Sequence, residues 1–192
     1  MATVLSVGDI AIVQYNSSTT DSFTFVFLRD VEAGTSVSFT DNGWLAAGGF
    51  RAGEGTVTYT AAAAVTAGTI VTLTGLNLDD AGDQIIAYQG DALSPTVLYL
   101  IDFADGNRTV APTATDANTT GLPPGLVLAL SAAAVPFDQG VYAGPIHGSP
   151  GELFAAVTNP HRRQRAHSPT FDNPADPGAD AAARRVTGAR LP

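Results

Sequence analysis

The chain has 192 residues and a net charge of −9 at pH 7, and it is long enough for one domain with a substantial apolar core. Its nine basic residues are all Arg, and eighteen acidic residues outnumber them. This balance disfavours nucleic acid or an anionic membrane surface as the main partner. The absence of Cys excludes disulfides, thiol nucleophiles and zinc sites with Cys ligands.

The surface is predicted to carry little charge. Charged residues make up 14% of the chain, against about 25% in typical soluble domains, and Thr, Ser, Ala and Gly take their place. Such a surface repels copies of itself weakly and suits dense packing between them. A small β-domain with one Thr-rich face would have the same composition. The composition therefore does not decide between a surface for self-association and an ordinary Thr-rich face.

No segment has the pattern of a membrane or targeting sequence. Residues 1–9 lack the basic and apolar regions of a cleaved signal peptide. Either the protein stays in the cytoplasm, or the numbering starts at a processed end, or export uses another signal. No apolar run approaches the roughly 20 residues of a membrane-spanning helix, and we expect no membrane span.

Eight segments have the features of β-strands. Several alternate apolar and hydroxylated side chains, as in residues 36–40, 56–60 and 70–74, and this period of two places one face in a core. The predicted strands are 9–14, 22–29, 36–40, 56–60, 70–74, 84–89, 97–103 and 126–131. Turn residues separate them and no helical pattern intervenes, which favours an all-β antiparallel sandwich of the jelly-roll or immunoglobulin-like kind.

One short helix is predicted near residues 150–158. Ser149 is a suitable N-cap, Pro150 and Glu152 fit the first turn, and Asn159 with Pro160 ends the pattern. Residues 160–192 then hold six of the nine Arg and five of the twelve Pro. We therefore expect a sandwich domain over residues 1–160 and an extended Arg- and Pro-rich tail over 161–192.

Clustered aspartates are the strongest candidates for a functional site. Turns that meet at one end of a sandwich could form an oxygen cage for Ca²⁺, with Asp41 and Asn42 in a further turn. The candidate ligands are Asp79, Asp80, Asp83, Asp102 and Asp105. Their spacing matches no known calcium loop, and Asp also favours turns for backbone reasons alone.

The sequence contains no recognisable catalytic set, and we expect the protein not to be an enzyme. The three His residues lack partners with metal-site spacing, and no Gly-x-Ser-x-Gly motif is present. Glu54 is predicted to form a loop ion pair with Arg51 rather than to act as a catalytic acid. Aromatic residues that could stack on sugars, although core packing explains them equally, are Trp44, Tyr59, Tyr88 and Tyr142.

Three strings of residues resemble an uncharacterised β-domain of bacterial surface and secreted proteins. They are Val7-Gly8-Asp9-Ile10-Ala11-Ile12-Val13, Phe39-Thr40-Asp41-Asn42-Gly43-Trp44 and Gly82-Asp83-Gln84-Ile85-Ile86-Ala87-Tyr88. The resemblance covers residues 7–160 and is in places similar to a lamin-tail-type sandwich. It implies an extracellular location and a structural or adhesive role, and it brings no catalytic residues. The residues after 160 depart from the pattern.

Together these features favour a non-enzymatic subunit that self-assembles into an extracellular fibre, tube or surface layer. A neighbour's strand can complete the ladder at an unpaired sheet edge. The candidate assembly residues are Ala2, Thr3, Val4 and Leu5 at the N-terminus and Arg162, Arg163 and Arg165 in the tail, where Arg could meet an acidic patch on a neighbour. The alternative is a monomeric adhesion module that binds carbohydrate or calcium.

Overall fold

The fold is built almost entirely from strands. The computed structural model describes residues 1–18, 20–104, 106 and 108–166, together with the backbone of 187–188. The strands are β1 (Ile10–Asn16), β2 (Ser22–Phe27), β3 (Ser36–Thr40), β4 (Thr56–Thr60), β5 (Ile70–Thr74), β6 (Asp83–Gln89), β7 (Thr96–Phe103), β8 (Ala132–Val135), β9 (Gln139–Tyr142), β10 (His147–Gly148), β11 (Arg163–Arg165) and β12 (Thr187–Gly188).

Two five-stranded sheets face each other. The first has the order β11-β9-β1-β2-β5 and the second the order β4-β3-β6-β7-β8. Pairing within the sheets is antiparallel except between β7 and β8, and the short β10 and β12 form a separate parallel pair. The predicted all-β sandwich is therefore confirmed, with one parallel pair that the sequence did not indicate.

Aromatic side chains fill the space between the sheets. Tyr15 of β1 stacks on Phe103 of β7 with ring centroids 4.3 Å apart. Phe25 of β2 lies 4.7 Å from Phe39 of β3 and 5.5 Å from Tyr59 of β4. Buried aromatic pairs of this kind add to the hydrophobic stabilisation of a core. They also fix which strands oppose each other: β1 faces β7, and β2 faces β3 and β4.

The predicted strand at 126–131 is wrong. These residues form turns, in which Ala129 has φ of 64° and the Val127 amide donates to Ser131 Oγ at 2.7 Å. Val127 and Leu130 remain 51% and 61% exposed, whereas Leu126 is buried in a small cluster with Trp44 and Ile86. The strand β8 follows these residues instead and is fully buried. Its Ala-rich sequence has low β-propensity, and burial against β7 rather than propensity determines its conformation.

The predicted helix is present as α1 (Pro150–Thr158). Ser149 and Glu152 form a reciprocal capping box, which satisfies two N–H groups at the helix start. A 3₁₀ turn over Pro160–Arg162 leads into β11. In the part of the chain that the structure describes, no helix is long and apolar enough to cross a membrane.

The sandwich continues beyond the boundary that we expected at residue 160. Strand β11 pairs with β9 along the edge of the first sheet, and Ala166 is 5% exposed. The described sandwich therefore reaches at least residue 166, because the backbone groups of β11 complete the β9 ladder. The rest of the expected tail lies outside the described residues, apart from the backbone of β12.

Candidate functional site

Three loops meet where β3 ends and β6 begins, because these strands are antiparallel neighbours. Asp41, directly after β3, accepts a hydrogen bond at Oδ2 from the Asn77 amide at 3.1 Å. Gln84 Nε2, at the start of β6, donates to the carbonyl oxygens of Asp41 and Ala117, the latter at 2.8 Å. These bonds tie the loops after β3, β5 and β7 together at one end of the sandwich.

Asp83 lies at the centre of this end and is 1% exposed. Its Oδ1 accepts from Gln84 N at 2.7 Å and from Gln84 Nε2 at 2.9 Å, and its Oδ2 accepts from Asp79 N at 2.9 Å. Burial raises the pKa of Asp83 to about 8 although these donors oppose it, and the negative charges of Glu54 and Asp41 add to the rise. The protonated form of Asp83 is therefore favoured at neutral pH.

Asp41 and Glu54 join Asp83 in a cluster of coupled carboxyl groups. Burial raises the pKa of Asp41, which is 0% exposed, and raises that of Glu54 to about 7. Within the described residues, Asp41 Oδ1, Glu54 Oε2 and Gln84 Oε1 are buried without a hydrogen-bond partner. All three are acceptors in the ionised cluster, so a retained proton supplies the donor that the site lacks.

The predicted ion pair between Glu54 and Arg51 does not form. The described residues contain salt bridges from Arg29 to Asp9 and from Arg165 to Asp138, but none between these two side chains. Arg51 still lowers the pKa of Glu54 through its charge, against the larger effects of burial and Asp41. Both side chains line a groove on the protein surface.

The four candidate calcium ligands that the structure describes do not converge. Asp79 and Asp80 are exposed, and Asp79 Oδ1 accepts from Ala81 N at 2.8 Å within its own turn. Asp83 and Asp102 are buried in neighbouring strands, at paired positions one residue apart in register. Asp105 lies outside the described residues. Among the side chains that the structure describes, no group of three or more His, Cys, Asp or Glu is placed to hold a metal ion, and the calcium site stays a prediction.

An open groove of about 530 Å³ lies on the outer face of the second sheet and shares Glu54 with the carboxyl cluster. One wall is the Gly-rich loop after β3, in which Leu45 N donates to Gly49 O and Arg51 N donates to Gly43 O, at 2.9 and 2.7 Å. The side chains that define the groove are Thr40, Asn42, Phe50, Arg51, Glu54, Thr56, Tyr88 and Leu93.

The aromatic residues singled out from the sequence are mostly core residues. Trp44, Tyr88 and Tyr142 are 8%, 4% and 0% exposed, and the Tyr59 ring packs on Phe25. Of these four, Tyr88 alone lines the groove. Sequence reasoning missed Phe50, whose ring lies 5.1 Å from that of Tyr88. Its position beside Arg51 in a Gly-rich loop was the feature of the sequence that could have identified it as a binding residue.

The N-terminal candidates for assembly are docked on their own chain. Leu5 is 1% exposed, and its amide donates to Gln89 Oε1 at 2.8 Å. Thr3 donates from its amide to Thr35 Oγ1 at 2.8 Å. Val4, in contrast, is 80% exposed, and Ala2 is also exposed. A donor strand formed by these residues would first have to leave its present contacts.

The three Arg candidates have different environments. Arg163 is 3% exposed, so it cannot meet a neighbour, and its Nη2 donates to Tyr99 Oη at 3.0 Å and to the Val157 carbonyl at 3.2 Å. It is buried because the first position of β11 points between the sheets. Arg165 is paired with Asp138. Arg162 and Arg165 are both exposed, and Arg162 forms no salt bridge with another described residue.

Strands β4 and β5 form an open flank of the sandwich. In the described chain, β4 pairs only with β3 and β5 only with β2. The two edges are adjacent, since a Cβ at Gly75, directly after β5, would lie 3.2 Å from Val57 Cγ1 of β4. The opposite flank is partly covered: the 3₁₀ turn, which contacts α1, packs against β8, whereas the edge strand β11 contains two Arg residues and, within the described residues, pairs with β9.

No protein-family model, curated protein or solved structure matches the chain. The features of the molecule that bear on its function are the groove, the carboxyl cluster and the open flank.

Proposed function

We propose that the protein is a non-enzymatic structural subunit that self-associates through its open flank into an extracellular fibre, tube or surface layer. The observation that carries the proposal is the pair of adjacent edge strands. Neither β4 nor β5 contains a charged residue, a Pro or a bulge. Soluble monomers protect their sheet edges with such features, because free N–H and C=O groups otherwise pair with another chain.

The side chains of the open flank support the same conclusion. Val57 and Tyr59 of β4 and Val71 and Leu73 of β5 are only partly buried, although they pack against the main core. A second copy that covers this flank would remove their apolar surface from water, at about 25 cal/mol per Å². Copies that pair here therefore gain hydrophobic burial as well as backbone hydrogen bonds.

The outer face of β3 and β4 favours close approach of copies. Ser36 Oγ lies 2.9 Å from Thr60 Oγ1, and Ser38 Oγ lies 2.9 Å from Thr58 Oγ1, so a ladder of paired hydroxyl groups runs across the two strands. Such a face is polar but uncharged. It repels a neighbouring copy less than the mixed charges of an ordinary soluble surface.

Growth beyond a pair needs a second contact. An interface between two open flanks is two-fold, so it closes after two copies. Residues 161–192 hold six of the nine Arg but only three of the eighteen acidic residues, which leaves residues 1–160 strongly acidic. Exposed Arg162 against the acidic body of a neighbour provides a contact of opposite charge. The resemblance to bacterial surface and secreted domains supports the extracellular setting.

A charge placed on the open flank tests the proposal. Thr58 is exposed in the middle of β4, and Thr58→Lys adds the type of charge that natural edge strands use against pairing. Ala155, exposed on α1 at the opposite, partly covered flank, provides the matched control Ala155→Lys. Size-exclusion chromatography with light scattering and negative-stain electron microscopy measure assembly of all three proteins.

The wild type and Ala155→Lys should form oligomers and ordered polymers, whereas Thr58→Lys should elute near the 19.6 kDa of one chain. Circular dichroism confirms that each variant is folded. A wild type that stays monomeric at every concentration would favour the monomeric adhesion module instead. Assembly of Thr58→Lys to the same extent as the control would show that the copies do not associate through the open flank.

A further inference from the structure

The groove on the second sheet contains a carboxyl oxygen atom without a partner in the described protein. Glu54 Oε2 is buried without a hydrogen-bond partner among the described residues, and Glu54 lines the groove together with Arg51 and Tyr88. Buried polar groups in proteins are nearly always paired, so an unpaired Glu54 oxygen beside Arg51 and Tyr88 favours a ligand that supplies both donors and acceptors.

The charges in the groove restrict the chemistry of that ligand. The ionised form of Glu54 is negative and the net charge of the chain is −9, so both disfavour an anionic ligand. Arg51, three residues before Glu54 in the same loop, repels a cationic ligand. A neutral molecule with several hydroxyl groups can accept hydrogen bonds from the guanidinium and donate one to the carboxylate. It brings no charge of its own into the groove.

The shape and the apolar lining agree with this chemistry. The groove has a volume of about 530 Å³, within the range of about 300–1,000 Å³ of small-molecule sites. Phe50 is half-exposed, its ring is held between Trp44 and Tyr88 at centroid distances of 5.2 and 5.1 Å, and Leu93 is 94% exposed at the rim. An aromatic ring fixed by its neighbours offers a rigid surface for the apolar face of a sugar ring.

We propose that this groove binds a neutral carbohydrate through Arg51, Glu54, Tyr88 and Phe50. Arg51 donates to the oxygen atoms of vicinal hydroxyl groups, Glu54 accepts from a hydroxyl group, and the Tyr88 hydroxyl group completes the polar contacts. Binding at this groove is separate from self-association, because among the lining residues only Thr56 belongs to the open flank.

Ligand-observed saturation-transfer NMR and calorimetry on the full chain provide the test. The neutral probes are cellobiose, maltose and lactose, and the charged probes are glucuronic acid and glucosamine. Arg51→Ala and Tyr88→Phe remove one polar group each, and Arg162→Ala serves as the control because Arg162 is exposed outside the groove. The same titrations on Thr58→Lys separate sugar binding from assembly.

At least one neutral disaccharide should bind, more tightly than either charged probe. Its affinity should fall about tenfold in Arg51→Ala and several-fold in Tyr88→Phe, while Arg162→Ala and Thr58→Lys bind like the wild type. The proposal is overturned if no neutral probe binds at about 20 mM, a concentration that detects millimolar affinities. Equal affinity of Arg51→Ala and Arg162→Ala, or preference for a charged probe, would also overturn it.

Discussion

Raising the pH from 5 to 7 should destabilise the protein through Asp83. The pKa of this carboxyl group rises from 3.8 to about 8 on folding, chiefly because it is buried. Between these two values the folded protein keeps a proton that the unfolded chain has released. The free energy of unfolding therefore falls as the pH rises through this window, and the stabilisation is lost fully only above the folded pKa.

The size of the loss in unfolding free energy follows from the single proton that Asp83 retains in the folded protein. Within the window, each pH unit changes the free energy of unfolding by about 1.4 kcal/mol, so Asp83 accounts for a loss of about 3 kcal/mol between pH 5 and 7. Glu54, with its pKa raised to about 7 but half-exposed, adds a smaller loss of the same sign. Asp79 and Glu152 have lowered pKa values and are already ionised in both states across this range.

Urea unfolding at pH 5, 6 and 7, followed by circular dichroism, measures the loss directly. Asp83→Asn is the matched variant, because an amide cannot ionise. It loses the bond from the Asp79 amide at every pH but should show a much flatter pH dependence. A wild-type stability that stays constant or rises between pH 5 and 7 would refute the reasoning. A slope that persists unchanged in Asp83→Asn would assign the effect to another group.

Two further predictions concern packing and the C-terminal boundary. Gly140→Ala should lower the free energy of unfolding by about 1–3 kcal/mol in urea melts, because the added Cβ would lie 2.5 Å from the Tyr15 ring; unchanged stability would contradict this contact. Deletion of residues 161–192 should lower the melting temperature well below that of a chain lacking only 167–192, since the longer deletion removes β11 and buried Arg163. Equal melting temperatures would show that β11 contributes no stability.

The sequence predicted β3, β4 and β5 more accurately than the rest of the fold. Their bounds match the prediction residue for residue, because apolar and hydroxylated residues alternate along most of each strand. Strands β8 and β9 were missed. The first is Ala-rich and buried throughout, and the second begins with Gln139 and Gly140, so neither shows a period of two.

The functional residues were harder to predict because their environment depends on distant parts of the chain. Asp79 and Asp83 stand in one Asp-rich turn, yet the first is exposed and the second is buried against Gln84. In the same way Arg162 and Arg163 are neighbours, but only Arg163 enters the space between the sheets. Local composition does not distinguish such positions, since burial is determined by tertiary packing.

Hydrogen–deuterium exchange of the assembled wild type and of monomeric Thr58→Lys tests self-association through the open flank most directly. The amides of β4 and β5 should exchange about tenfold or more slowly in the assembled protein, because pairing protects N–H groups that are free in one chain. The amides of β8, under the 3₁₀ turn, should exchange equally in both. Equal exchange of the β4 and β5 amides in the two samples would contradict the account.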